Sequence, residues 1–149
     1  MIKRGFYFKF LFTFLFVVTV SYCADELIYK NLVIDNNSSS LVELRVVSSK
    51  KEIEKGLMGV KYLNWKEGMF FDFKKEQTVR IWMKGMEMPI DIIFLSKNYK
   101  INKLIKKAYP CETVNCRIYS AENTQYVLEL KAGMIDRYSL NENSVIEIK

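Results

Sequence analysis

The chain has no histidine among its 149 residues. Histidine is the commonest general base in enzymes and a frequent zinc ligand, so Ser-His-Asp and Cys-His catalytic arrangements and most zinc sites are excluded. The sequence also has no phosphate-binding loop and no dinucleotide-binding fingerprint. We therefore predict neither a cofactor nor a metal ion.

Cysteine is also scarce, with three residues in the chain. Cys111 and Cys116 are separated by four residues, whereas thiol-disulfide oxidoreductases separate their cysteines by two. This spacing favours a local disulfide that holds a loop, formed in an oxidising compartment, over redox catalysis.

The N-terminus has the pattern of a secretory signal peptide. Three positive charges precede the uncharged apolar run Phe10–Val20, and Ser21-Tyr22-Cys23-Ala24 follows as a processing site. The apolar run is too short to span a bilayer, which takes roughly 20 residues. We predict a signal peptide over residues 1–23 and a mature chain outside the cytoplasm, either periplasmic or secreted.

An alternative is that Cys23 is the lipid-bearing first residue of a lipoprotein, although Tyr22 is bulky for the position before such a cysteine. Only then would the protein be attached to a membrane. Removing residues 1–23 takes away three positive and no negative charges, so the net charge falls from +6 to +3. This small charge predicts no nucleic-acid partner and no polybasic membrane arm.

The apolar pattern predicts strands throughout the mature chain. Residues 24–40 would form an N-terminal strand, Leu27–Ile34, and a polar linker, while residues 41–149 form the main domain. Apolar side chains at every second position predict a strand over Leu41–Val47. Further strands are predicted over Gly68–Phe73, Val79–Met83, Met88–Ser96, Ile101–Ala108, Tyr126–Lys131 and Ser144–Lys149.

One short helix is predicted after the second strand. Ser49 and Glu52 have the spacing of a capping box, and Gly56 marks the end of the helix. Short polar segments at 74–77 and 96–100 predict turns, which favour antiparallel neighbours. The fold class is therefore α+β and mostly β, a curved antiparallel sheet or small barrel with one short flanking helix.

Two carboxylates stand in apolar strands. Asp91 alternates onto the face of Ile93 and Leu95, so it lies either at an open strand end or buried with a partner, for which Lys84 is the candidate. Glu129 follows Val127-Leu128 and is either an outward charge on an amphipathic strand or part of a site. Trp82 is likewise either a core residue or a flat apolar surface for a ligand.

Four separated motifs connect the chain with a known family: Gly56-Leu57-Met58, Gly68–Phe73, Ile81–Leu95 and Tyr126–Gly133. In this order they resemble the DUF192 (UPF0127) family of small bacterial and archaeal domains, over about residues 41–148. That family has no assigned biochemical role, so the resemblance implies a domain and candidate site residues without implying a reaction. The positions that match the family pattern are Trp82, Lys84, Pro89, Asp91, Phe94, Glu129 and Gly133.

These observations predict a non-enzymatic exported module that binds a small polar ligand or an envelope protein. Its site would contain Trp82, Lys84, Asp91 and Glu129, with the Cys111–Cys116 loop and its preceding proline as a rim. One alternative is a carboxylate-dependent hydrolase acting on a glycan, with Asp91 and Glu129 as acid and base. Another is a protein-interaction module whose partner adds a strand at a sheet edge.

Overall fold

The computed structural model describes residues 27–34, 42–112 and 115–149. The predicted signal peptide, the Cys23 position and the polar linker at 35–40 lie outside these residues. The strands are β1 Tyr29–Ile34, β2 Val42–Val47, β3 Glu67–Trp82, β4 Ile90–Leu95, β5 Ile101–Ala108, β6 Ile118–Lys131 and β7 Ile146–Ile148. The helices are α1 Lys50–Lys55 and α2 Met134–Arg137.

All seven strands belong to one sheet, in the order β5-β4-β6-β3-β2-β1-β7, which curls into a half-barrel. The mostly β prediction is confirmed. Strands β2 and β3 pair in parallel, whereas the other pairs are antiparallel. The connection through α1 is long enough for this parallel crossover. One helix was predicted, and α2 is a second that the sequence pattern did not indicate.

Helix α1 forms where the capping box predicts it. The Ser49 hydroxyl accepts from the Glu52 backbone N–H at 3.3 Å, and the Glu52 carboxylate accepts from the Ser49 backbone N–H at 3.2 Å. These bonds satisfy backbone donors that the first helical turn otherwise leaves free. The helix ends at Gly56, as predicted, with φ of 46°.

The predicted turn at 74–77 is wrong, because β3 continues through it. Both halves of β3 pair with β6, but the register shifts between Asp72 and Gln77. Beyond this shift, Val79 and Ile81 pack in the same cluster as Phe71. The paired β3–β6 ribbon therefore bends and covers one face of its own sheet, instead of turning back as a hairpin.

The two faces of the sheet carry separate apolar cores. We name the first the α2 face, because it packs against Met134 and Ile135 of α2; its residues include Leu44, Phe70, Ile93, Leu95, Leu128 and Leu130. We name the second the α1 face, because it packs against Leu57 and Leu63 after α1; its residues include Met69, Phe71, Ile90, Ile92, Phe94 and Val127. Strand alternation therefore decides to which core each side chain belongs.

Gly68 is required by close packing on the α2 face. A Cβ atom there would lie 2.7 Å from Leu130 Cδ2 and 2.8 Å from Leu44 Cδ2. We expect Gly68→Ala to lower the free energy of unfolding by about 1–3 kcal/mol, since overpacking forces neighbouring side chains out of place. Urea unfolding measures this change. An unchanged free energy would show that the two leucines move aside without cost.

The predicted disulfide is present, with 5.6 Å between the Cα atoms of Cys111 and Cys116. The Cys111 backbone N–H donates to the Met83 carbonyl at 3.1 Å, which holds the disulfide loop beside the end of β3. A disulfide is compatible with an extracytoplasmic location. Among the described residues, none of the helices has the length and apolar character needed to cross a membrane.

Candidate functional site

Asp91 is a structural carboxylate on the α2 face. It is fully buried. Its carboxylate accepts from the backbone N–H groups of Lys107 at 2.8 Å, Gly133 at 3.0 Å and Ile135 at 2.8 Å. The last two donors belong to the start of α2, where backbone N–H groups lack partners within the helix. Asp91 is therefore buried and paired, but its partners are backbone amides and not Lys84 as predicted.

Glu129 is buried on the α1 face, so it is not an outward charge. It lies opposite Met69 of β3 and Ile92 of β4, and its side chain is only 5% exposed. Among the described residues, its Oε2 atom has no hydrogen-bond partner. Burial raises the pKa of Glu129 from 4.5 to about 8. At neutral pH the carboxyl is mostly protonated, since the apolar surroundings disfavour its charged form.

Trp82 and Lys84 lie together at the end of β3. Trp82 is 55% exposed and therefore not a core residue. The Lys84 ammonium nitrogen lies 5.6 Å from the centre of the Trp82 ring, within the range of a cation–π contact. The backbone of Lys84 pairs with that of Cys111. This part of the predicted site is an exposed aromatic–cation pair beside the disulfide loop.

Asp91 and Glu129 do not face one groove. Asp91 is paired with Leu130, and Glu129 with Ile92, so the two carboxyl groups leave adjacent strands on opposite faces of the sheet. The carboxylate of Asp91 is also occupied by backbone donors. Acid–base hydrolysis of a glycan requires two carboxyls about 5–10 Å apart across a common groove, and this pair does not meet that requirement.

A cleft of about 240 Å³ lies between α1, the bent β3 strand and the α1 face of the sheet. Glu129 and Trp82 both line it, so these two predicted site residues share one cavity, whereas Asp91 and Lys84 are not among its lining residues. Most of the lining is apolar. It consists of Ile53, Glu54, Lys55, Gly56, Leu57, Met58, Phe71, Phe73, Arg80, Ile81, Trp82, Met86 and Glu129.

The sequence of the chain matches the model of one protein family. A model of the DUF192 family, described as an uncharacterized ACR, matches residues 32–148. The chain belongs to the DUF192 family. The match begins within β1, before the predicted start at residue 41, and β1 is hydrogen-bonded to both β2 and β7. The first strand is therefore part of the DUF192 sheet.

Two solved structures share the DUF192 fold seen here. A protein from Sinorhizobium meliloti 1021, described as a "putative transcription regulator", has a TM-score of 0.71 and 26% identity; 80% of this chain and 92% of that one are covered. A protein of unknown function from Novosphingobium aromaticivorans DSM 12444 has a TM-score of 0.68 and 22% identity, with 81% and 84% covered. No curated protein matches the chain.

Gly56 shapes the cleft of this DUF192 domain. It ends α1, and a Cβ atom at this position would lie 3.7 Å from Glu129 Oε2 and 3.3 Å from Phe71 Cζ. A side chain here would therefore occupy the space next to the unpaired carboxyl. Glycine also tolerates the positive φ of 46° that this helix end adopts. The glycine of the Gly56-Leu57-Met58 motif thus leaves no side chain between the cleft and the buried Glu129 carboxyl.

Sequence reasoning did not assign the walls of the cleft to the site. Phe71 and Phe73 belong to one family motif and Met58 to another, but apolar residues in strands and loops give no sign of which cavity they line. Their position depends on the bend in β3, which the sequence predicted as a turn. Of the predicted rim, Pro110, Cys111 and Cys116 are not among the lining residues of the cleft, and the backbone of Cys111 lies beside that of Lys84 instead.

Proposed function

We propose that this DUF192 domain binds a small polar ligand in the cleft, with the Glu129 carboxyl as its polar anchor. The observation that carries the proposal is the Oε2 atom of Glu129, which is buried beside an apolar cavity and has no hydrogen-bond partner in the part of the chain that the structure describes. Buried polar groups in proteins nearly always have a hydrogen-bond partner, so an orphaned one requires an explanation. A ligand in the cleft would supply the missing partner.

The lining of the cleft supports ligand binding more than catalysis. Binding cavities are usually apolar with a few placed polar groups, and here one deep carboxyl is surrounded by phenyl and thioether side chains. A second acid or base facing Glu129 would be needed for the hydrolytic chemistry considered from sequence. Asp91 cannot take that role from the opposite face of the sheet.

We also propose an extracytoplasmic setting for this binding. The Cys111–Cys116 disulfide and the signal-peptide pattern of residues 1–23 both support it. The S. meliloti protein is described as a "putative transcription regulator". Disulfides are rare in the cytoplasm, where genes are transcribed, so we do not extend that description to this chain.

An envelope protein is a second candidate partner, at the exposed end of the β3–β6 ribbon. Trp82 and Ile118 are register neighbours there, and they are 55% and 58% exposed. Exposed aromatic and aliphatic neighbours are typical of protein contact surfaces. Strand addition at the β5 edge is less suitable, because Lys103, Lys106 and Lys107 place charges along it.

The binding proposal is tested with a thermal-shift screen of small amines, alcohols, amides, carboxylates and sugars. We expect at least one compound to raise the melting temperature of the wild-type protein, since a ligand at 100 times its Kd adds about 2.7 kcal/mol. Gly56→Ala should abolish the shift, because its methyl group occupies the space beside Glu129.

Gly59→Ala is the matched control for this experiment. Gly59 also has a positive φ, of 78°, but a Cβ atom there meets nothing within 4 Å. Both variants therefore carry backbone strain, and only Gly56→Ala fills the cleft. Equal shifts in the wild type and both variants would place the ligand elsewhere and contradict the proposal, as would the absence of any shift.

A further inference from the structure

We infer that the ligand is a primary amine on an apolar chain, whose ammonium group binds the Glu129 carboxylate. This inference rests on the proposed ligand cleft and specifies the chemistry of its occupant. It rests on three features of the cleft. No lining cation stabilises ionised Glu129, the walls are apolar and aromatic, and the lining cations Lys55 and Arg80 are exposed.

The deep end of the cleft lacks a positive charge. Burial raises the pKa of Glu129, and within the described ranges no charged neighbour adds to this shift or opposes it. The charged groups that line the cleft are Glu54 and Lys55 at the end of α1 and Arg80 on β3. None of these stabilises the ionised form of Glu129. An incoming ammonium group would supply both the counter-charge and the hydrogen-bond donors.

The walls also suit a cation on an alkyl chain. The rings of Phe71 and Phe73 line the cleft, with centroids 6.4 Å apart. Phenyl faces attract ammonium groups, and Met58 and Met86 add polarizable thioether sulfurs. A carboxylate or phosphate ligand would instead be repelled by the Glu129 carboxyl wherever that group is ionised.

The cations that line the cleft lie at the protein surface, and not beside the position that we infer for the ammonium group. Lys55 is exposed at the end of α1, and Arg80 is exposed on the bent part of β3. Among the described residues, the ion pairs involve neither of them. They remain available to an anionic group at the far end of the ligand, outside the apolar part of the cleft.

The inference is tested by titrating the protein with n-butylamine, n-butanol and butyrate at several pH values, using isothermal calorimetry. These probes have the same chain length and differ in the end group. We expect butylamine to bind at least tenfold more tightly than the other two. Its affinity should rise about tenfold per pH unit between pH 6 and 8 and level off above, because only ionised Glu129 attracts the ammonium group.

Variants separate this inference from the broader proposal. Glu129→Gln should weaken butylamine binding at least tenfold at pH 8 and remove the pH dependence, whereas Gly59→Ala should leave both unchanged. If butanol or butyrate binds as tightly as butylamine and Gly56→Ala abolishes binding, the cleft is a ligand site but the amine inference is wrong. If butylamine binds equally to the wild type and Gly56→Ala, its site lies outside the cleft and the inference also fails.

Discussion

Replacing Asp91 with alanine is expected to lower the free energy of unfolding by about 4 kcal/mol, because the change leaves buried backbone N–H groups without an acceptor. Asp91→Asn should lower it by about 2 kcal/mol. In that variant the amide oxygen can keep the bonds to Gly133 and Ile135, which share Oδ2, while the amide NH₂ opposes the Lys107 N–H. Urea unfolding of the three proteins measures both differences.

The same variants distinguish a structural carboxylate from a ligand-binding one. Since Asp91 lies on the α2 face and the cleft on the α1 face, Asp91→Asn should bind any cleft ligand with the wild-type affinity. Asp136→Asn is a suitable control on α2, because Asp136 is exposed and pairs with Lys106 at the surface. Equal stability of the Asp91 and Asp136 variants would contradict the structural role.

Glu129 is expected to make the protein less stable as the pH rises from about 5 to 8. Its pKa is 4.5 in an ordinary setting and about 8 in the folded protein, so between these values the folded state holds a proton that the unfolded state has released. The contribution of this proton to the free energy of unfolding is complete below pH 4.5 and is lost as the pH approaches 8. The slope is about 1.4 kcal/mol per pH unit.

This slope is measured as the difference between the wild type and Glu129→Gln in urea unfolding at several pH values. Subtraction removes the contributions of the other titrating groups. Glu129→Leu provides a second reference, because it also cannot titrate but has no polar group in the cavity. A difference that stays constant from pH 5 to 8 against both references would show that Glu129 is ionised in the folded protein.

The sequence predicted the elements of the fold better than their pairing. Alternating apolar residues identify β2, and the capping box identifies α1, since these signals lie within a few residues of one another. The parallel β2–β3 pair and the insertion of β6 between β3 and β4 depend on contacts between distant segments. No local pattern contains that information.

The candidate site was predicted in part for the same reason. Strand alternation placed Asp91 and Glu129 among apolar neighbours and marked both as unusual. It did not show that backbone amides would bind the Asp91 carboxylate, or that the Oε2 atom of Glu129 would have no partner among the residues described. That difference arises from where α2 and the Gly56 turn pack, and both are set by the tertiary structure.

The position of β6 in the sheet also determines when the chain can fold during synthesis. β6 is the second last strand along the chain, yet it joins β3 to β4. Until Lys131 has left the ribosome, the β1–β2–β3 and β4–β5 segments have no strand to connect them, and such long-range pairing is slow. The two parts of the sheet therefore join only late in synthesis, and the complete fold cannot form while most of the chain is still being made.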